Sequence, residues 1–250
     1  MKKSMLLLLT VVTALLLVGG VAFAATIDCA ADSVCVGTPD DDEMRGAAGG
    51  EDMSGLGGGD VLRGFKGFDF LNGGPGVDLL EGGANGDSYI FKDTWGTDIV
   101  VDPLGFDSLD FSFIVAPVEA DLAPGVSPAE ARSGTNRVYI SSGSVIEQVQ
   151  GGLANDTIRG NNADNALEGS EGNDRITGRK GADGLGGGNG DDRLTGGPGN
   201  DIITARNGND TVYVADGEAD QVSCGDGADT VYFDLGLDSI SGNCDDLHGT

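Results

Sequence analysis

Apolar side chains recur at every ninth position along two long stretches of this 250-residue chain. In each nonapeptide, glycine and acidic residues dominate the first six positions, and three residues with an apolar centre follow. Position eight is apolar in all 18 nonapeptides, whereas positions seven and nine are mixed. Because side chains alternate between the two faces of a strand, position eight points inward and its neighbours point outward. The pattern predicts an all-β coil of six-residue turns and three-residue strands.

The nonapeptides form two arrays, which are separated by a segment without a repeat. A two-residue slip at Phe91 and Lys92 interrupts the first array, and one inserted residue, Val214, interrupts the second. Partial alternation of apolar and polar residues from Val118 to Leu122 predicts a short strand in the segment between them. The predicted organisation is a signal peptide (1–24), an N-terminal cap loop (25–36), a first array (37–110), an intervening non-repeat β segment (111–150), a second array (151–241), and a C-terminal cap and tail (242–250).

The first six positions of the nonapeptide carry the candidate chemistry. Position six is Asp in 16 units, Glu51 in one and Asn165 in one, and position four is Gly in 13. Glycine lets the backbone bend tightly, and the bend turns carbonyl oxygens inward. Ca²⁺ takes six to eight oxygen ligands, which carbonyls and carboxylates supply together. The consensus G-G-x-G-x-D-x-U-x, with U apolar, therefore predicts calcium sites in the turns.

This consensus resembles the hemolysin-type (RTX) calcium-binding repeat. Its strongest copies are Gly-Gly-Pro-Gly-Val-Asp-Leu-Leu-Glu at 73–81 and Gly-Gly-Pro-Gly-Asn-Asp-Ile-Ile-Thr at 196–204. The resemblance implies a parallel β-roll, an RTX-type β-solenoid in two arrays with a short intervening β segment. It also implies multiple Ca²⁺ ions between stacked turns, each held by glycine-turn carbonyls and position-six carboxylates. The carboxylates that it implies as metal ligands are Asp42, Asp60, Asp69, Asp78, Asp87, Asp156, Asp174, Asp183, Asp192, Asp201 and Asp210.

Other position-six residues depart from the repeat or lie in units that match it less well. Glu51 is longer by one methylene and Asn165 is uncharged, while Asp40 and Asn85 replace the position-four glycine. The turns with these residues therefore match the calcium-binding consensus less well. The position-six residues of the weaker units are Asp98, Asp107, Asp220, Asp229 and Asp238.

Stacking of the turns predicts that calcium binding and folding are one event. Two nonapeptides complete one coil, so position-six carboxylates recur at about the 4.8 Å spacing of adjacent strands. Without a cation, each neighbouring pair repels by roughly 1 kcal/mol in a water-like dielectric, and by more when partly buried. The single apolar column offers little core to oppose this repulsion, so we expect the metal-free chain to be largely disordered.

The intervening segment and the start of the second array also resemble the C-terminal domain of the serralysin metalloproteases. The matching strings are Ile146-Glu-Gln-Val-Gln-Gly-Gly, Asn155-Asp-Thr-Ile and Asp107-Ser-Leu-Asp-Phe-Ser. This resemblance implies a small β element packed against the roll. It does not extend to a protease domain.

The N-terminus predicts export. Lys2 and Lys3 precede an apolar run from Met5 to Val18, and Ala22-Phe-Ala24 provides a small-x-small cleavage site. An uncleaved membrane anchor is the alternative interpretation of this segment. We expect cleavage, which leaves a secreted, extracellular protein without a membrane span.

The lone Trp95 is expected to be a packing residue.

An exported chain with four cysteines favours disulfides. Three connectivities are possible in principle. Cys29 and Cys35 flank a short loop, and the stacking register places Cys224 and Cys244 at neighbouring levels on one side of the coil. The prediction is that Cys29 pairs with Cys35 and Cys224 with Cys244, capping the two ends of the coil.

Charge and residue content limit the function classes. The formal net charge of −27 repels nucleic acid and anionic lipid and attracts cations. The only histidine is His248, so neither a zinc protease motif nor a Ser/His/Asp arrangement can be assembled. We predict a calcium-binding structural or interaction module without enzymatic activity, whose protein or glycan partner stays open. The alternatives are an adhesin-like surface protein and an RTX-family hydrolase with an unrecognised site.

Overall fold

Strands form at the last three positions of the nonapeptides and turns at the first six. The computed structural model describes residues 25–92, 94–123, 130–133, 136–141 and 145–250. Within these residues the chain forms 25 strands and no helix. The first thirteen are β1 Ala25–Asp28, β2 Val34–Val36, β3 Asp42–Arg45, β4 Asp52–Ser54, β5 Val61–Lys66, β6 Phe70–Asn72, β7 Leu79–Ala84, β8 Ser88–Ile90, β9 Thr97–Val100, β10 Ser108–Asp110, β11 Glu119–Asp121, β12 Glu130–Ser133 and β13 Asn136–Ile140. The others are β14 Gln148–Gln150, β15 Thr157–Arg159, β16 Ala166–Glu171, β17 Arg175–Thr177, β18 Gly184–Asn189, β19 Arg193–Thr195, β20 Ile202–Asn207, β21 Thr211–Tyr213, β22 Gln221–Asp226, β23 Asp229–Phe233, β24 Ser239–Ser241 and β25 Cys244–Gly249.

The strands alternate between two sheets, which together form the roll. Sheet A has 14 strands in the order β1-β3-β5-β7-β9-β13-β12-β11-β15-β17-β19-β21-β23-β25, and sheet B has 11 in the order β2-β4-β6-β8-β10-β14-β16-β18-β20-β22-β24. Except where β12 pairs with β11 and β13, neighbouring strands are parallel, and within the arrays their register advances by one coil, as in the pair Leu62 and Leu80. The register absorbs the insertions without slipping, because Leu80 pairs with Val100 and Ile203 with Val222. The predicted parallel β-roll is confirmed.

Position eight forms the core of the roll. Its side chains from Met44 to Val231 are at most 2% exposed, and only Ile240 in the last unit is partly buried. They belong to one continuous apolar cluster that includes residues of both arrays and of the segment between them. The two arrays therefore stack as one roll with one core.

An aromatic cluster fills the core where the two-residue slip enlarges the coil. The rings of Phe91 and Phe111 stack with centroids 4.9 Å apart, and Trp95 packs on both. All three side chains are at most 1% exposed. Trp95 is a packing residue, as predicted, and stacked rings of this kind stabilise a core beyond the area that they bury.

The intervening segment, for which the serralysin resemblance implied a small β element packed against the roll, forms a small β element that is part of the two sheets. Strands β11, β12 and β13 form an antiparallel element inside sheet A, and its two edges pair in parallel with β15 and β9. Strand β14 continues sheet B between β10 and β16. The segment keeps the backbone hydrogen bonds of both sheets satisfied between the arrays.

The two ends of the roll contain strands and disulfides. Residues 25–36, predicted as a cap loop, contain β1 and β2, which add a further coil by pairing with β3 and β4. Residues 242–250, predicted as a cap and tail, contain β25, which pairs with β23. The predicted disulfides Cys29–Cys35 and Cys224–Cys244 are both present. The predicted signal peptide (1–24) lies outside the described residues, and in the part that is described no helix has the length and apolarity to cross a membrane.

Candidate metal centre

The position-six carboxylates stack into two ladders, one along each sheet. In each ladder, the backbone amide of one position-six residue donates to Oδ1 of the next, as from Asp42 to Asp60 and from Asp60 to Asp78, both at 2.8 Å. Ladder A, along sheet A, contains Asp42, Asp60, Asp78, Asp98, Asp156, Asp174, Asp192, Asp210 and Asp229. Ladder B, along sheet B, contains Glu51, Asp69, Asp87, Asp107, Glu147, Asn165, Asp183, Asp201, Asp220 and Asp238.

The intervening segment interrupts ladder A but not ladder B. In sheet A, Val138 pairs with Asp98, and the amide of Val118 donates to Oδ1 of Asp156 at 2.7 Å. Neither valine contributes a carboxylate. In sheet B, Glu147 takes the position-six place and accepts the amide of Asp107 at 2.9 Å. Ladder B therefore keeps a carboxylate at this level, and the carbonyl oxygen of Glu147 accepts the amide of Ala166 at 2.8 Å, so sheet B continues into the second array.

The second carboxylate oxygen of most ladder aspartates is buried without a hydrogen-bond partner. The backbone amides occupy Oδ1, and Oδ2 lies toward position one of the same turn, as Asp60 Oδ2 does beside Gly55. A buried anionic oxygen without a donor is costly unless a cation compensates it. The aspartates with this arrangement are Asp60, Asp69, Asp78, Asp87, Asp98, Asp107, Asp174, Asp183, Asp192, Asp201, Asp210, Asp220 and Asp229.

At eight of these aspartates, from Asp60 to Asp87 and from Asp174 to Asp201, position one is glycine and places no side chain beside Oδ2. A Cβ placed on Gly55, at position one, would overlap Asp60 Oδ2 and would lie 2.6 Å from the carbonyl oxygen of Gly73 in the next turn. The same holds at Gly64, which faces Asp69 Oδ2 and the carbonyl oxygen of Gly82. Glycine at position one thus lets one carboxylate oxygen and one carbonyl oxygen lie close to the backbone of the turn.

Burial makes these carboxylates weak acids. Desolvation raises the pKa of Asp192 to about 7, against the opposing effect of the Asp174 amide and with a further increase from the charge of Asp210. Desolvation likewise raises the pKa of Asp69 to about 6. The charged form of each ladder is therefore disfavoured when no cation is bound.

These residues fit calcium. The turns bring together carboxylate and carbonyl oxygens, with no nitrogen or sulfur ligand, and this is the ligand set of a hard cation. Nine of the eleven predicted ligands have the unpartnered buried Oδ2. The exceptions are Asp42 and Asp156, whose Oδ2 atoms accept the amides of Thr38 and Gly152, each at 2.6 Å. Both aspartates lie in the first unit of an array.

The two position-six departures also differ from the rest of their ladder. Both carboxylate oxygens of Glu51 accept amides, from Asp32 at 3.1 Å and from Ala47 at 2.9 Å. In Asn165, Oδ1 accepts the amide of Asn161 and Nδ2 is a buried donor without a partner. An amide nitrogen does not ligate a cation, so the turn of Asn165 is a poorer site than its neighbours.

The structure adds acidic residues that the sequence reasoning missed. Glu147 becomes visible when the nines are continued backwards from Gly151, because residues 142–150 then place Glu147 at position six and Val149 at position eight. Asp102 occupies position one of its unit, where glycine is usual, and it is buried beside Asp87 and Asp107.

Comparison with known families agrees with this geometry. A family model described as RTX calcium-binding nonapeptide repeat (4 copies) matches residues 54–89, 149–185 and 186–219. The chain contains RTX calcium-binding nonapeptide repeats. In a comparison with curated proteins, none matches the chain.

The RTX repeats of this chain extend beyond the matched ranges. The nine predicted ligands with an unpartnered Oδ2 all lie within those ranges, whereas Asp98, Asp107, Asp220 and Asp229 lie outside them and have the same geometry. The RTX family implies Ca²⁺ binding. The weaker units thus retain the arrangement of the matched repeats.

Proposed function

We propose that this RTX protein is a secreted calcium-binding β-roll whose folding is coupled to Ca²⁺ binding, and that it serves as a structural or interaction module. The observation that carries the proposal is the set of thirteen buried Oδ2 atoms without a hydrogen-bond partner. They recur along both ladders, and eight of them lie beside a position-one glycine.

The ladder aspartates and the carbonyl oxygens of the glycine turns would hold the ions. Asp192 Oδ2, the adjacent Gly187 turn and the carbonyl oxygen of Ala205 illustrate one such place. Bound calcium supplies positive charge between like-charged turns. The eleven predicted aspartates remain our proposed ligands, and we add Asp98, Asp107, Asp220 and Asp229 to them on the same geometry.

The coupling of folding to calcium binding follows from the repulsion between the stacked carboxylates of each ladder. The core that holds the coils together is one residue wide in each unit. Several buried carboxylates above and below one another destabilise such a coil, because each neighbouring pair repels more strongly than it would in water. A metal that binds only the stacked turns then contributes its binding free energy to folding.

Export is supported by the disulfides and by the predicted signal peptide. All four cysteines are paired, and disulfides persist in oxidising compartments. Residues 1–24 have the layout of a secretory signal.

We also propose that the protein acts by binding and not by catalysis. His248 lies on the exposed strand β25, where its ring stacks on Tyr232 with centroids 4.7 Å apart and pairs with Asp246. A histidine that acts as a general acid or base is held beside a substrate pocket, and His248 lies instead on an exposed strand at the end of the roll.

Circular dichroism of the purified protein tests the coupling. The calcium-stripped chain is expected to lack most β signal and to gain it on CaCl₂ addition, with a midpoint of about 10⁻⁴–10⁻³ M, as in other extracellular calcium modules. MgCl₂ at the same ionic strength is the control for charge screening. A fully β-rich spectrum without metal, or an equal response to magnesium, would reject the proposal.

A further inference from the structure

Three buried carboxylates meet at the end of the first array. One oxygen from each of Asp87, Asp102 and Asp107 lies within 4.8 Å of the others, and the three residues are at most 1% exposed. Asp87 and Asp107 are successive members of ladder B. Asp102 belongs to the same turn as Asp107 and occupies position one, where most units have glycine.

The carboxylate of Asp102 enters the cradle that other units leave to backbone atoms. A Cβ placed on Gly82 would overlap Asp87 Oδ2 and Asp102 Oδ2 and would lie 2.5 Å from the Tyr89 hydroxyl. At the corresponding glycine one coil below, Gly64, the neighbouring oxygens are Asp69 Oδ2 and a backbone carbonyl. The turn at Gly82 thus has one more anionic oxygen than the ordinary turn.

Tyr89 holds Asp102 in this position. The Tyr89 hydroxyl accepts the Gly82 amide at 2.8 Å and donates to Asp102 Oδ2 at 2.6 Å. Tyr89 occupies position eight, so its ring lies in the core and only its hydroxyl reaches the turn. The other position-eight residues are aliphatic or methionine and have no such group.

Two oxygens of the cluster have no donor. Asp87 Oδ1 accepts the amide of Asp69 and Asp107 Oδ1 accepts the amide of Asp87, both at 2.8 Å, while Oδ2 of Asp87 and Oδ2 of Asp107 are buried without a hydrogen-bond partner. Three carboxylates this close in a buried turn repel one another, and a cation is the partner that removes both the repulsion and the missing hydrogen bonds.

We propose that Asp87, Asp102 and Asp107 form a three-carboxylate calcium site that fills before the other sites of the roll. The inference rests on the proposed function and goes beyond it, because it assigns Asp102 as a ligand and orders the sites. Calcium affinity rises with the number of charged ligands and with the rigidity of the site. Here the third carboxylate adds charge, and Tyr89 fixes its orientation.

The position of this site gives its early filling a structural consequence. The level above Asp107 is Glu147, whose carboxylate accepts the Asp107 amide and whose carbonyl oxygen accepts the amide of Ala166 in the second array. An ion bound by Asp87, Asp102 and Asp107 orders the last turn of the first array. Strand β10 follows this turn and pairs with β14 of the intervening segment. The first ion bound therefore stabilises the junction between the two arrays.

Isothermal titration calorimetry of the full, calcium-stripped protein with CaCl₂ tests this order. Wild-type protein is expected to show an early step of about one equivalent, at a free calcium concentration at least tenfold below the midpoint of the remaining ions. Asp102→Asn removes the charge and keeps the shape, and Asp102→Gly restores the usual residue of the repeat. Both variants are expected to lose the early step and to retain the later one.

Asp191→Asn is the matched control, because it removes one charge from an exposed turn residue. It should retain the early step, and circular dichroism at saturating calcium should show that all variants reach the wild-type fold. An early step that survives in both Asp102 variants, or its absence from the wild type, would overturn the inference. A protein that takes up no calcium in either step would instead refute the proposed function.

Discussion

The backbone amide of Asp174 donates to Oδ1 of Asp192 at 2.8 Å, and Oδ2 of Asp192 is buried without a partner. One carboxylate therefore has two roles, since one oxygen connects adjacent coils and the other remains for a ligand. The same division recurs along both ladders. It connects the stacking of the roll directly to its chemistry.

Protons are expected to replace calcium in part. Desolvation raises the pKa of Asp69 to about 6 and that of Asp192 to about 7, from an ordinary value of 3.8. A raised pKa means that the folded chain binds protons more tightly than the unfolded chain, so protonation stabilises the metal-free fold at low pH. That stabilisation is lost as the pH rises through 6 to 7.

Circular dichroism of the calcium-stripped protein at pH 5 and pH 8 measures this effect. The β signal should be larger at pH 5, and saturating calcium should remove the difference between pH 7 and pH 8. Loss of β signal on acidification from pH 8 to pH 5 would contradict buried, unpaired carboxylates.

Gly190 should tolerate no side chain. Its φ is +119°, and an added Cβ would overlap the carbonyl oxygen of Gly172 one coil below. Gly217 has a φ of +95° but open space around the same position, so it shares the backbone strain without the overlap. Gly190→Ala is expected to lower the free energy of unfolding in calcium by about 2–4 kcal/mol, and Gly217→Ala by about 1–2 kcal/mol. Urea unfolding of both variants checks this difference, and equal losses would argue against close stacking of the turns.

The disulfide at the C-terminal end should contribute more stability than the one at the N-terminal end. Cys224 and Cys244 close a loop of sequence separation 20, whereas Cys29 and Cys35 are separated by 6. Loop-closure entropy predicts losses of roughly 3 kcal/mol and 2 kcal/mol when each pair is replaced by serine. Unfolding in urea at saturating calcium compares the two double variants. A larger loss from the N-terminal pair would contradict this ranking.

The period of nine made most of the fold predictable. It placed position eight in the core, set the register that pairs Leu62 with Leu80, and brought Cys224 to the level of Cys244. Each of these follows from a local pattern that repeats at a constant spacing. The strand alternation and the turn chemistry agree in most units of the two arrays.

The intervening segment and the acidic additions could not be predicted in the same way. Residues 142–150 have no glycine at positions one and four, so the repeat pattern does not predict Glu147 as a ladder member. The places of Val118 and Val138 in sheet A depend on an antiparallel pairing that has no short-range signal. The role of Asp102 depends on Tyr89, which reaches it across the core from the previous coil.

The calcium dependence of two neighbouring variants tests the ladder most directly. Asp192 is a buried member of ladder A, and Asp191 is exposed and accepts the amide of Asn209. Asn already stands in the place of Asp191 at Asn173 and Asn209, so Asp191→Asn preserves that contact. Both substitutions remove one negative charge.

Asp192→Asn should raise the calcium midpoint for folding, by an amount equivalent to about 1–3 kcal/mol for a lost charged partner. Asp191→Asn should leave the midpoint nearly unchanged. Circular dichroism during a CaCl₂ titration of the two variants and the wild type gives the three midpoints. Equal shifts for both variants would mean that calcium only screens a polyanion, and this result would contradict the assignment of the ladder aspartates as ligands.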